Sequence, residues 1–323
     1  MPKRIFIAGG AGYIGSRLVP YLRELGHDVT VLDLLWFGNH LPQDVPVVKK
    51  NVIDVEPSDL KGFDQVIFLA GLSNDPMAEY SPGLNFVHNA AAPSHLAYIA
   101  KQAGVKRFIY ADSCSVYGNT KDALCDEETV ARSAYPYGIS KLQGGFGAHR
   151  LEDDSFSVIS LRQGTLSGFS PRMRFDLLVN TMYKTALTEG RLVVNNPAIW
   201  RPYLAMTDAL EAYRKAIEAP YSVSGTFIVA SGNATIKDVA DDVSRYFAKR
   251  HAKQIAVETH DRADQRSYRV SNQKAQDVLG VSFHGTVPGI LQELDERIGN
   301  DCDFHHDRYH NIATFKKLFT KVV

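Results

Sequence analysis

The sequence predicts an α/β fold built on a doubly wound parallel sheet, with a smaller, partly interleaved α/β substrate domain. Three observations carry that expectation. Residues 5–15 (IFIAGGAGYIG) form an apolar strand-like run that enters a glycine-rich turn, and a helix-like stretch follows over 17–25. Strand-like and helix-like segments then alternate through the first half, the pattern that lays helices on both faces of a parallel sheet. A second strand-like run, residues 28–33 (DVTVLD), ends in the acidic Asp33.

Each element has its own reason. Leu18, Val19, Leu22 and Leu25 recur at helical spacing after the turn. Glycines there let the backbone bend sharply and approach a diphosphate, to which the helix N-terminus offers unpaired N–H groups and a positive dipole end. The spacing fits two templates, Gly10-x-Gly12-x-x-Gly15 and Gly9-x-x-Gly12-x-x-Gly15. Asp33 is placed to accept hydrogen bonds from an adenosine ribose and to repel a 2′-phosphate, which favours NAD over NADP. Residues 34–38 (LLWFG) are too apolar for a free loop and are expected either to cover the adenosine or to pack on a domain edge. Strands are expected at 45–49, 64–70, 107–111 and 157–161, and helices at 84–103 and 137–150. Ligands of such a sheet gather at the C-terminal strand ends, where Gly71, Ser113 and Gly164 fall. Beyond residue 165 the alternation loosens. Helices are expected at 175–188, 207–218, 236–249 and 286–298, separated by short apolar segments such as 226–229. The chain is therefore read as a dinucleotide-binding domain over 1–165 and a substrate domain over 166–323.

The 323 residues suffice for two packed layers or two modest domains. Lysine plus arginine equals aspartate plus glutamate at 36 each, so net charge calls for neither nucleic acid nor membrane, and an anionic ligand needs local arginines. No run is long enough to cross a bilayer, and a strand starting almost at the first residue is expected to leave no room for a signal peptide. Three sparse cysteines, Cys114, Cys125 and Cys302, lack CxxC spacing and suit a reducing cytoplasm. Cys302, His305, His306 and His310 cluster near the C-terminus but match no closed zinc template; no metal is expected, and the segment reads as a solvated terminal helix beyond the active site.

Tyr137 and Lys141, in YGISK, stand four residues apart and so on one helix face. A free tyrosine titrates near 10, and making it a base near pH 7 requires about 4 kcal/mol of phenolate stabilisation. A neighbouring ammonium and a positive nicotinamide ring are groups able to supply it. Ser113 follows a predicted strand and would project toward the same nicotinamide.

With the GGAGYIG turn, the strand VKRFIY at 105–110, the VYG element at 116–118 and YGISK in place, nearly the whole chain resembles the extended short-chain dehydrogenase/reductases, and within them the nucleotide-sugar epimerases and dehydratases. The resemblance implies a Rossmann first domain, NAD as cofactor and a nucleotide-diphosphate sugar as substrate. It implies that Ser113, four residues before the VYG tyrosine, hydrogen-bonds the reacting oxygen. Tyr137 is then the acid/base, and Lys141 binds the nicotinamide ribose and lowers the tyrosine pKa. Gly9, Gly12, Tyr13, Ile14, Gly15, Asp33, Asn51, Val52, Leu69, Ala70 and Gly71 are expected to hold the cofactor together with Tyr137 and Lys141. Relatives commonly pair as homodimers through two helices, here 84–103 and 137–150. Their 4,6-dehydratases carry Asp-Glu directly after the catalytic Thr, and decarboxylases a Glu two residues after it; Cys114 and Ser115 stand there instead, which disfavours elimination. Cys114 is expected to be a small buried residue at a strand end.

On the substrate side, Arg201 within RPY resembles the family arginine that grips the nucleotide diphosphate, and Arg262 resembles a second such arginine. A planar guanidinium suits bidentate phosphate binding. Thr165 stands where relatives usually carry a substrate-contacting Asn. Arg172 and Arg174 are further candidates without a clean motif. Asn51 replaces an adenine-reading Asp, Pro202 an Asp and Gly145 a Glu, which together suggest a sugar or nucleotide other than UDP-galactose. The resulting expectation is an NAD-dependent nucleotide-sugar C4 epimerase working through a transient 4-keto sugar. Two alternatives stay open: a net 4-dehydrogenase or ketoreductase on a nucleotide-activated hexose or heptose, and a non-catalytic nucleotide-binding protein.

Overall fold

The computed structural model describes residues 1–120, 123–261, 266–299 and 302–320. Along the first half run β1 (Arg4–Ala8), α1 (Gly15–Glu24), β2 (Asp28–Leu32), β3 (Val47–Val48), β4 (Gln65–Phe68), α2 (Asp75–Tyr80), α3 (Pro82–Phe86), α4 (Ala92–Gln102), β5 (Arg107–Ser113), β6 (Leu124–Cys125), α5 (Pro136–His149) and β7 (Ser157–Gln163). The rest comprises β8 (Thr165–Ser167), α6 (Leu178–Glu189), β9 (Arg191–Asn195), β10 (Trp200–Ala205), α7 (Met206–Glu218), β11 (Gly225–Val229), β12 (Gly232–Thr235), α8 (Ile236–His251), β13 (Ala256–His260), β14 (Arg269–Val270), α9 (Val287–Arg297) and α10 (Asn311–Leu318).

Seven strands form one parallel sheet in the order β11-β7-β5-β4-β1-β2-β3. Its central strands are buried on both faces, which is why they read as unbroken apolar runs. Successive side chains still alternate: Ile5 and Ile7 enter one core with Leu18, Val19 and Leu22 of α1, while Phe6 and Ala8 enter another with Leu96, Ala97 and Ala100 of α4. The chain order reverses between β1–β4 and β1–β2, and the crevice at that point receives ligands.

Several expected boundaries moved. The strand at 45–49 shrinks to Val47–Val48 at the sheet edge, and β5 runs on to Ser113, carrying that hydroxyl to the strand end. The single helix expected over 84–103 is α3, a wide π-type turn at Val87–Ala91, and α4. Pro93 explains the break: it has no N–H to give the Asn89 carbonyl, and the Tyr110 hydroxyl donates to that carbonyl instead, at 3.2 Å. Helix α6 starts three residues later than expected, with Phe175 buried in the extended run before it. The segment 226–229 is β11, paired with β7 in the main sheet, and the later half holds short strands not expected from sequence: β8 with β10 and β12, and β9 with β13. The terminal segment differs most. His305 and His306 precede a short turn at Asp307–Tyr309, and α10 is not a solvated helix, since Phe315 is fully buried against Leu72 and Met77.

Candidate active site

The glycine turn crosses from β1 to α1 beside the end of β4. Gly9 has φ +80°, and a Cβ there would lie 2.4 Å from the Ala70 nitrogen, so the close approach of turn and strand needs glycine. Gly12 and Gly9 border the cleft, while Gly10 turns onto Val31, which selects the Gly9-x-x-Gly12-x-x-Gly15 template. Gly15 packs tightly on the turn, where a Cβ would strike the Gly10 carbonyl at 2.2 Å, and it lines neither cavity described below. Asp33 at the end of β2 ties the turn down, accepting the Ala11 N–H at 3.0 Å and the Leu35 N–H at 2.7 Å.

Two connected cavities open along this crevice. The smaller, of about 110 Å³, is bordered by Asp33, Asn51, Val52 and the apolar loop Trp36-Phe37-Gly38. That loop walls the cavity, and Trp36 packs edge-on against Phe319 and His88. The larger, of about 440 Å³, brings together Tyr13, Ile14, Ser113, Tyr137, Lys141, Thr165 and Arg201. Gly9, Gly12, Phe37, Leu69, Ala70, Gly71 and Leu72 border both. Arg262 lies outside the described residues; Arg266, on the same segment, borders the larger cavity and pairs with Asp75.

Tyr137 and Lys141 project from the first two turns of α5 toward Ser113 at the end of β5. Burial pushes the Tyr137 phenol up to about 12, opposed by a hydrogen bond from Ser113 and by the charge of Arg174. Burial pulls the Lys141 ammonium down to about 8, opposed by Asp112. The ammonium lies 4.3 Å above the centre of the Tyr110 ring. A phenol at about 12 stands five pH units from neutrality, about 7 kcal/mol, and the opposing groups are Ser113 and Arg174. Cys114 is buried as expected, its thiol donating to the Arg162 carbonyl at 3.3 Å, and Ser115 turns its Oγ to within 2.7 Å of Ser113 Oγ.

Asp112, Asp176 and Asn311 of the larger cavity were not expected, whereas Arg174 and Arg201 were candidates from the sequence. Asp112 borders the cavity, fixed by Arg162 Nε at 2.7 Å and by the Ser113 N–H at 2.7 Å. Arg174 is paired bidentately with Asp176 at 2.9 Å, and Asn74 donates to the same carboxylate at 2.9 Å. Arg201 donates to the carbonyls of Trp200 and Arg266. Asn311 of α10 also borders the cavity, so the terminal segment reaches the site rather than lying beyond it. Arg172 and Arg174 were candidates from the sequence, and the same run PRMRFD, three charges inside an apolar stretch, carried a signal for Asp176; Asn311 had none.

Whether the cleft fits a dinucleotide can be tested on the backbone. A Cβ at Gly12 would meet the Gly9 carbonyl at 3.2 Å and otherwise open space, so a side chain there would fill the cleft directly before the N-terminus of α1. The Ser16 and Arg17 N–H groups there donate to the Gly12 and Ile14 carbonyls, so the helix offers an anion its positive dipole end, and the Asp33 carboxylate stands at the end of the neighbouring strand. The residues fit.

Residues 5–230 match the NAD dependent epimerase/dehydratase family. The chain belongs to this family. Among relatives in it, UDP-glucose 4-epimerase 2 of Arabidopsis thaliana is 31% identical over 53% of this chain and 54% of that protein. The UDP-glucose 4-epimerase of Neisseria meningitidis serogroup C is 26% identical over 76% of this chain and 82% of that protein. The chain spans about half the length of several curated relatives that it matches, 54%, 48% and 51% in three cases. The UDP-N-acetylglucosamine 4-epimerase of Methanobrevibacter ruminantium M1, solved with UDP-N-acetylmuramic acid, shares the fold at a TM-score of 0.81 and 18% identity, over 92% of this chain and 99% of that one. Among the described residues, no helix is long and apolar enough to cross a membrane, and no cluster of three His, Cys, Asp or Glu is arranged to hold a metal.

Proposed function

We propose that this member of the epimerase/dehydratase family is an NAD-dependent nucleotide-sugar 4-epimerase. The observation that carries the reading is the meeting of Ser113, Tyr137 and Lys141 in one cavity beside the Gly9–Gly12 cradle, with a buried thiol and a hydroxyl at the two positions after Ser113. Each carboxylate bordering the larger cavity is engaged by an arginine: Asp112 by Arg162, Asp176 by Arg174 and Asp75 by Arg266. That arrangement leaves elimination of water without an acid/base carboxylate beside Ser113 and favours chemistry that tyrosine alone can manage.

In this reading Tyr137 takes the proton of the sugar 4-hydroxyl, while Ser113 hydrogen-bonds that oxygen as it becomes a carbonyl. NAD, when bound, supplies the group that takes hydride from C4 and gives it back, and a positive ring charge that favours the phenolate. Gly9, Gly12, Tyr13 and Ile14 would hold its diphosphate, Asp33, Asn51 and Val52 its adenosine end, and Lys141 its nicotinamide ribose. Thr165 and Arg201 face the substrate, a nucleoside diphosphate sugar. Residues 1–165 then serve the cofactor and 166–323 mainly the sugar nucleotide. Relatives named UDP-glucose 4-epimerase make UDP-hexoses the first substrates to try.

The protein in this proposal is a cytoplasmic homodimer. Cys114, Cys125 and Cys302 are all free thiols, which suits a reducing compartment. Three large apolar side chains left in water, Val87, Tyr98 and Phe146, lie on the α4–α5 pair and the turn leading into it.

A proton NMR time course with NAD and UDP-, GDP-, dTDP- and CDP-sugars, with NADH absorbance followed in parallel, tests the activity. A C4-inverted sugar without NADH build-up is expected; NADH rising with a keto sugar would make the protein a dehydrogenase instead.

A further inference from the structure

Arg172 is 2% exposed, and its guanidinium lies 3.8 Å over the ring of Phe37. It donates to Asn311 Oδ1 at 2.5 Å and to the Met173 carbonyl at 3.4 Å, both neutral acceptors, and its Nε is buried with no acceptor. The negative charges that act on it are already engaged: Asp176 holds Arg174, and Asp33 accepts the Ala11 and Leu35 N–H groups. Burial and the charge of Arg174 pull Arg172 down to about 9. Arg107 provides the contrast. It is equally buried, yet it makes five hydrogen bonds, to Ser157 Oγ and to the carbonyls of Ala216, Ala219, Pro220 and Val223. Arg107 is a finished structural residue. Arg172 is a buried cation short of acceptors at the edge of a cavity, an arrangement that is costly unless an anion completes it.

Its position says which anion. Phe37, on which Arg172 stacks, borders both cavities, as do Gly9 and Gly12. A dinucleotide lying along the crevice, with its adenosine by Asp33 and its nicotinamide by Tyr137, has its diphosphate at those shared residues.

We propose that Arg172, held in place by Asn311 from the C-terminal helix, binds the cofactor diphosphate from the side opposite the glycine turn. The inference rests on the reading of the crevice as a dinucleotide site and deepens it. The α1 N-terminus presents its positive dipole end on one side of the diphosphate; Arg172 supplies a planar cation on the other. Asn311 is a positioning residue. It fixes the guanidinium through Oδ1, while its Nδ2 donates to Ser73 Oγ at 2.6 Å. The C-terminal segment, beyond the part of the chain that matches the family, thereby becomes part of the cofactor site.

The test is calorimetric titration of the full chain with ADP-ribose and with UDP, using adenosine as a competitor, alongside melting midpoints without nucleotide. Arg172→Met is expected to weaken ADP-ribose by about 10- to 100-fold, the range for a charge-assisted hydrogen bond. Adenosine and UDP should bind as before, and the melting midpoint should not fall, because a buried charge short of partners has been removed. Asn311→Asp puts a carboxylate on Arg172 and should raise the melting midpoint while weakening ADP-ribose. Unchanged ADP-ribose binding in Arg172→Met, an equal loss of adenosine, or a loss confined to UDP would each overturn the assignment. Failure of the unsubstituted protein to bind ADP-ribose would overturn the cofactor reading beneath it.

Discussion

Tyr137 and Lys141 stand one helical turn apart, and burial moves both away from the charged forms that the chemistry uses. The lysine shift has a consequence for folding. Its pKa falls from 10.5 to about 8, so below pH 8 the ammonium is charged in both folded and unfolded chains, and the full cost of holding it buried is present. The cost declines between about 8 and 10.5 and is gone above that range. The shift is worth about 3 kcal/mol. Lys141→Met should therefore be more stable than the unsubstituted protein at pH 7 by up to about that amount, with the gap closing toward pH 10, while turnover falls by about 10²- to 10⁴-fold. Urea unfolding at the two pH values reads the first, and initial rates the second. A variant that is less stable at pH 7 would contradict this account of the lysine. Ser113, Tyr137 and Lys141 were legible in the sequence because strand end and helix turn are local features. Asn311 was not, and Arg172 was legible only as a candidate without a motif. Each is one residue of an ordinary type, and only long-range packing, 139 positions apart, gives them a shared role.

Among the elements, α4 and α5 carry the clearest unfinished surface. They pack on each other across the sheet face that holds Phe6 and Phe68, yet Phe146 on α5 stays 68% exposed. An exposed large ring on a paired helix surface is the kind of feature that a second copy of the chain would cover. Phe146→Glu is expected to give a monomer by sedimentation velocity, where the unsubstituted chain sediments as a dimer with the same fold by circular dichroism. A monomer in both cases would remove the dimer from the proposal. The existence of these helices was readable from apolar periodicity, but the interruption at Val87–Ala91 was not. It arises from Pro93 acting together with a tyrosine hydroxyl on a neighbouring strand, and periodicity carries no trace of that partner.

For the whole molecule, the parallel sheet was legible because its central strands are buried on both faces and announce themselves as apolar runs. The later half was harder to read. Its strands are short, β9 alternates buried and exposed residues, and β11 returns to the main sheet after α7, so that neither periodicity nor order along the chain separates the parts cleanly. Helix α10 crosses back to cover Trp36 and Leu72, and the crevice is thus walled by segments drawn from both ends of the chain. A crevice walled in this way suits a reaction in which the sugar must be oxidised, turned over and reduced without escaping. The measurement that tests this most directly follows a UDP-hexose carrying deuterium at C4 through turnover, read by NMR and mass spectrometry. The account predicts a C4-inverted product that retains deuterium at C4, with no deuterated NADH released. Deuterium accumulating in free NADH, or replaced by solvent hydrogen in the product, would contradict it.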